Sequence, residues 1–275
     1  MPAHQTARPL VFKPLPEGLD ARWRRPTSLA FVGGMLHFPI SDTELLQTSH
    51  HLPIAIEDTD DGLNVVAITA PQFQRTPLVS SSGAWQRAYV PMFLRCLPFQ
   101  IDHANAGALE IATNVDNADA PDLPLFDTAG SLASEVQTIA AMLRCLEQGK
   151  GRLRAAAEQL FIAGVLTRFH IAALAGANAR ALQLLTIDVA AFRALPAARV
   201  ATLAQQLPVL DLASACIFSQ RLTSLKSIQP MSDQIETSEA DDDDVVQTLI
   251  PPSAAAQLDN SELFSFERFM SCHDH

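Results

Sequence analysis

Near Pro124 the hydrophobic residues change their period, and that switch narrows the classes of fold open to the chain. Before it, apolar and β-branched residues come in short runs, at Leu29 to Val32, Met35 to Ile40, Leu52 to Ile56, Leu63 to Thr69 and Ala108 to Thr113. Gly, Pro, Asp and Ser separate them, which is the pattern of strands joined by turns. Asp60-Asp61-Gly62 lies between two such runs and predicts a hairpin turn, because glycine reaches positive φ at no steric cost. Pro39 and Pro53, which have no N–H to give to a ladder, place their neighbours at strand ends or sheet edges. After Pro124 the spacing becomes three and four. Leu132, Val136, Ile139, Leu143 and Leu146 predict a helix over Ser131 to Gln148, capped by Asp127, Thr128 or Ser131 and stopped by Gly149 and Gly151. A second helix is expected over Arg152 to Ala175, with Leu153, Leu160, Val165 and Phe169 among its apolar positions, making an antiparallel helix pair on one side of the sheet. Further helices are expected at Ala190 to Leu195, Ala197 to Gln206 and Val209 to Thr223, punctuated by Pro196 and Pro208. The fold class that follows is α+β: a mostly antiparallel N-terminal sheet, strand-rich over 29–113, packed against a C-terminal helical layer over 131–225.

Charge divides the chain a second time. Of the net −11, residues 231–275 carry 11 acidic and one basic residue, whereas residues 1–230 carry 19 acidic and 18 basic. With the run Asp241 to Asp244 and few apolar residues, the expected organisation is a domain over 1–228 and an acidic disordered tail over 229–275, interrupted by the apolar island Leu263 to Met270. A near-neutral body without a basic stripe lacks the electrostatic footprint of phosphate-backbone binding, so nucleic acid is not an expected partner. The proline-interrupted first 25 residues hold no signal-peptide core, and the apolar stretch Leu160 to Ala177 is broken by Thr167, Arg168 and His170. That stretch reads as a buried helix rather than a membrane span, and the expected location is cytoplasmic. Cys96, Cys145, Cys216 and Cys272 are far apart and form no Cys-x-x-Cys pair, so free thiols are expected.

Motifs of catalysis and cofactor binding are weak throughout. The acidic group Glu57, Asp58, Asp60, Asp61, Gly62 has Thr69 where a calcium loop beginning at Asp58 needs its bidentate Glu, which leaves a solvated turn. His50 and His51, adjacent in sequence, would point to opposite faces of a strand, and neither they nor His37 have a Cys or carboxylate at ligand spacing. Cys272, His273 and His275 would bind metal only adventitiously. Ser80-Ser81-Ser82-Gly83 is no nucleophile elbow, and Gly33-Gly34 is too short for a dinucleotide fingerprint. No metal, no cofactor and no catalytic residue is expected.

The informative segment is Gly83-Ala84-Trp85-Gln86-Arg87-Ala88-Tyr89-Val90-Pro91-Met92-Phe93-Leu94-Arg95-Cys96-Leu97-Pro98-Phe99. It holds one of the two tryptophans and the only tyrosine, beside two arginines. As a packing hub it would bury large rings whose polar tips need one partner each. As a groove, Trp85, Arg87, Tyr89, Arg95 and Phe99 would line a ligand site in which arginine grips a carboxylate or stacks on a ring.

The pattern Gly-x-Trp-x-x-x-Tyr-Val-Pro-x-Phe-Leu-Arg-x-x-Pro-Phe resembles the hallmark of the bacterial SapC family. Leu125-Phe126-Asp127-x-x-Gly130 is similar to that family's second landmark, and Ile187 to Leu225 to its C-terminal part. The chain departs from the pattern at Cys96 and Leu97, where a basic and then an aromatic residue would stand, which reduces the cationic character of the segment. The resemblance implies an association with paracrystalline surface layers, but it supplies no catalytic residues. The function expected is a non-enzymatic accessory or interaction protein with a partner in envelope or secretion machinery. The alternatives are an intracellular amino-acid- or peptide-binding module using the aromatic and arginine groove, and an enzyme on a peptide or amino-acid derivative.

Overall fold

The structure, a computed structural model, describes residues 10–105, 107–117, 119–171, 182–206 and 208–222. The acidic segment from 229 onward, its apolar island and Thr223, the final residue of the last expected helix, lie outside them. In chain order the strands and helices are β1 (Phe12–Pro14), β2 (Arg22–Trp23), β3 (His37–Pro39), α1 (Leu45–Ser49), β4 (Ile54–Thr59), β5 (Gly62–Ile68), α2 (Met92–Cys96), β6 (Phe99–Asp102), β7 (Ala108–Ala112), β8 (Leu123–Pro124), α3 (Ser134–Ile162), β9 (Leu166–Ile171), β10 (Leu182–Ile187), α4 (Val189–Arg193), α5 (Ala197–Ala204) and α6 (Val209–Ser219). The class is α+β, and every strand pairing is antiparallel.

The largest sheet has the order β3-β5-β4-β10-β9. Its centre is the β4–β5 hairpin, whose turn is Asp60-Asp61 with Gly62 at φ +109° and Thr59 paired to Gly62. Pleating sends alternate residues to opposite faces. Ile54, Ile56, Leu63, Val65 and Ala67 enter the main core beneath the helices, while Ala55, Val66 and Ile68 join a smaller cluster with Leu184 and Phe73 on the other face. Leu153, Ala157 and Leu160 of α3 and Leu212, Ala213 and Cys216 of α6 complete the main core. Buried Ser219 ties α6 to the sheet by accepting from Ile54 N–H at 2.9 Å.

A second core lies at the other end of α3. There Val136, Ile139 and Leu143 pack with Trp23, Phe99 and Leu125, around the small sheets β1-β7-β6 and β2-β8. With 29 residues, α3 spans about 44 Å at 1.5 Å per residue, long enough to serve both cores.

The expected antiparallel helix pair is therefore one helix. Gly149 and Gly151 do not stop it, because Gly149 continues the inward stripe between Leu146 and Leu153 and is itself buried. A Cβ there would overlap Ser41 Oγ and come within 2.6 Å of Asp42 Oδ1, so the missing side chain allows this close approach. Arg152, one turn on, clamps the contact with bonds of 2.5 and 2.8 Å to the Asp42 carboxylate. The stop falls at Gly164, φ +71°, where Gly164 N–H donates to Phe161 O and Val165 N–H to Leu160 O. These two hydrogen bonds, with Val165 buried, are the Schellman closure. Residues 166–171, expected to be helical, form β9, which with β10 completes the sheet begun in the N-terminal half; residues 172–175 lie outside the described residues. Leu29 to Val32, expected as a strand, falls on the 3-10 turn Ala30–Gly34, in which Val32 is the buried residue. The helix start was expected at Asp127, Thr128 or Ser131, and Ala133 occupies it. Asp127 instead closes the preceding loop, its Oδ1 accepting from the N–H groups of Ala129 and Ser131. Among the described residues no single helix is long and apolar enough to cross a membrane.

Candidate functional site

Gly83 opens the tryptophan-tyrosine-arginine segment at φ +85°, with no room for a Cβ against Ser28, and its carbonyl accepts from Leu29 N–H at 2.8 Å. Ser80 N–H bonds to Ala84 O and Val79 bridges Trp85, so residues 79–85 form a closed turn. The serines belong to that turn: Ser80 Oγ meets Ser82 Oγ at 2.8 Å and accepts from Ala84 N–H. Half-buried Trp85 packs on the main core and donates its indole N–H to Tyr89 O at 2.7 Å. The next residues carry the chain through α2 to the start of β6, and their side chains divide between the two cores. Leu94 and Leu97 enter the main one, and Cys96 and Phe99 the second.

At the centre is a carboxylate that sequence reasoning passed over. Glu44, only 3% exposed, accepts from Tyr89 OH at 2.8 Å and Met92 N–H at 2.7 Å through Oε2, and from Ser41 N–H at 3.3 Å through Oε1. The signal was present as Ser41-x-x-Glu44, a capping box for the turn that leads into α1. Burial and the adjacent Glu44 hold the Tyr89 phenol well above its ordinary range, so it stays a neutral donor. Burial likewise pushes the Cys96 thiol up to about 12.

The arginines have different roles. Arg87 turns back and donates to Thr76 O at 2.7 Å and Pro77 O at 3.2 Å, fixing the loop before the motif. Arg95 is exposed, with its guanidinium carbon 5.8 Å from the Tyr89 ring centre and a 3.4 Å bond to Tyr89 OH. His51, also not anticipated here, lies nearly parallel to the Tyr89 ring at 6.3 Å. Burial, with His50 and Arg87 nearby, lowers its pKa from the ordinary 6.5. Arg24, Arg25, Arg152 and Arg168 sit in ion pairs, whereas none of Arg75, Arg87 and Arg95 does among the described residues. The five expected site residues thus do not share one groove. Phe99, 1% exposed, is edge-on to Trp23 at 4.9 Å inside the second core and Arg87 is bonded to the 76–77 loop, while Trp85, Tyr89 and Arg95 are linked through Tyr89. Cys96 and Leu97, where the chain departs from the hallmark pattern, are both buried, so that departure alters packing and not the open face.

A cleft of about 240 Å³ lies between the Ala30–Gly34 turn and the arm from Pro71 to Val79, lined in part by the loop that Arg87 braces. The histidines and acids noted in the sequence find other partners. His37 Nε2 is 3.3 Å from Glu57 Oε1, Asp58 meets Arg168 at 3.4 Å, and His50 packs on Phe218. Among the described residues no three His, Cys, Asp or Glu gather as a metal-ligand set; Cys272, His273 and His275 lie outside them.

A family model described as SapC matches residues 19–249. No curated protein and no solved structure matches the chain.

Proposed function

We propose that this chain, which belongs to the SapC family, is a non-enzymatic accessory protein. In this reading it works inside the cell and grips a carboxylate-bearing segment of a protein partner with the face formed by Arg95, Tyr89 and His51. The observation that carries this is the state of Arg95. Its guanidinium is exposed and fixed over a ring that is itself bonded to a buried carboxylate, and it has no ion-pair partner among the described residues. A positioned cation of this kind suits charge-assisted, bidentate recognition of a carboxylate. Glu44 supports a role in recognition over one in chemistry, because its oxygens are committed to three donors that hold the face in place. The association of the resembled family with surface layers makes an envelope or secretion component the first partner to test.

The test is a pull-down at native expression level with wild-type protein and Arg95→Glu. Recovery of an envelope or secretion component by the wild type, lost with Arg95→Glu, supports the reading. Equal recovery by both, or recovery of no such component, removes it.

A further inference from the structure

We propose that the cleft between the Ala30–Gly34 turn and the Pro71–Val79 arm binds a compact apolar group that bears a carboxylate, with Arg75 as the anion anchor. A free N-blocked amino acid and the C-terminal residue of a peptide share that chemistry. The site goes beyond the Arg95 face, because its lining includes none of Arg95, Tyr89 and His51.

The cleft has an apolar lining with one cation. Leu78 and Val79 contribute apolar surface from the core side, with Val32 beneath them, and Pro71 and Pro77 add walls that keep a fixed backbone. At about 240 Å³ the space is smaller than the pockets that hold drug-sized molecules, so it suits one apolar side chain with its terminal group. Arg75 lines it, is exposed, and donates to Arg221 O at 2.8 Å. That bond tethers the guanidinium and leaves its remaining donors without a carboxylate among the described residues.

The walls are held before any ligand arrives. Arg87 bonds to the carbonyls of Thr76 and Pro77 from behind, Gln74 Nε2 donates to Ile68 O at 2.8 Å, and Thr69 Oγ1 donates to Met35 O at 2.7 Å. Gln86 N–H closes the arm onto Leu78 O at 2.8 Å. A cavity fixed in this way keeps its apolar surface open to a ligand instead of collapsing, and less ordering is needed on binding.

Gly33 supplies a clean test. It lines the cleft, its φ is not in the left-handed region, and a Cβ built on it meets nothing within 4 Å. Gly33→Leu therefore adds bulk at a lining position where the first added atom meets nothing. The measurement is calorimetric titration of full-length protein with N-acetyl-leucine and N-acetyl-leucinamide, and with a tripeptide ending in leucine and its C-terminal amide. Trp85 fluorescence gives a second readout, because its backbone bridges Val79.

The expected result is that the acid binds at least tenfold tighter than its amide in one or both series. The series that binds tighter identifies the source as a free acid or a chain terminus. Arg75→Gln loses that preference at least tenfold, and Gly33→Leu abolishes binding with an unchanged melting temperature. No binding, equal binding of acid and amide, or an acid preference that survives Gly33→Leu overturns the proposal and leaves the Arg95 reading standing.

Discussion

Tyr89 donates its phenolic proton to Glu44 Oε2 across 2.8 Å, and the carboxylate that receives it is 3% exposed. This bond joins the end of the turn leading into α1 to the segment that feeds both cores. Tyr89→Phe removes one donor from a buried charged group and should cost about 1–3 kcal/mol. Glu44→Ala should cost more, since it leaves both Tyr89 OH and Met92 N–H without their acceptor. Urea denaturation of the two variants checks the order, and a Tyr89→Phe protein as stable as wild type would show the bond to be unimportant.

Two glycines in α3, two residues apart, should answer the same substitution with opposite signs. At Gly149 a methyl collides with Ser41 and Asp42, so Gly149→Ala should destabilise by about 1–3 kcal/mol, the usual range for overpacking. At Gly151 a Cβ meets nothing within 4 Å, and Gly151→Ala should stabilise by about 0.5–1 kcal/mol through helix propensity. Thermal melts of the pair decide it.

The tryptophans should rank Trp23 above Trp85. Trp23 is 2% exposed and meets Phe99 edge-on in the second core, so Trp23→Ala should cost about 3–5 kcal/mol. Trp85 is half-buried and should cost less, although it belongs to the hallmark segment. Denaturant midpoints of the two variants measure the difference.

His51 should make stability depend on pH in a defined direction. Burial, His50 and Arg87 lower its folded pKa from 6.5, so the unfolded chain takes up a proton that the native state resists. Stability from this group is full above about 6.5 and is lost as pH falls from there toward the folded value. Exposure of the ring and solvent screening keep the effect small. In urea midpoints between pH 8 and 5, His51→Gln should show a shallower acid decline than wild type; parallel curves would count against this account.

Legibility of the fold followed how local each signal was. The β4–β5 hairpin was readable because Asp60-Asp61-Gly62 and two alternating runs agree, and α5 and α6 because Pro196 and Pro208 mark their starts. The continuity of α3 was harder to see. Glycine ordinarily ends helices, and the close contact with Ser41 that uses Gly149 joins positions 108 apart in sequence. β9 was misread because a short apolar run fits a buried helix and a buried strand equally well by periodicity. In the candidate site, Tyr89 and Arg95 stood out by residue type. His51 had been weighed only as a metal ligand, and the tie from Glu44 to Tyr89 is created by tertiary folding.

The position of β10 in the large sheet bears on how the chain is made. A ribosome delivers β3, β4 and β5 more than a hundred residues before the strand that covers β4. Until residue 187 emerges, the nascent chain carries a strand with an unsatisfied ladder, open to pairing with another copy. Synthesis of a fragment ending at 165 reproduces that interval permanently, and such a fragment should self-associate where the longer chain does not.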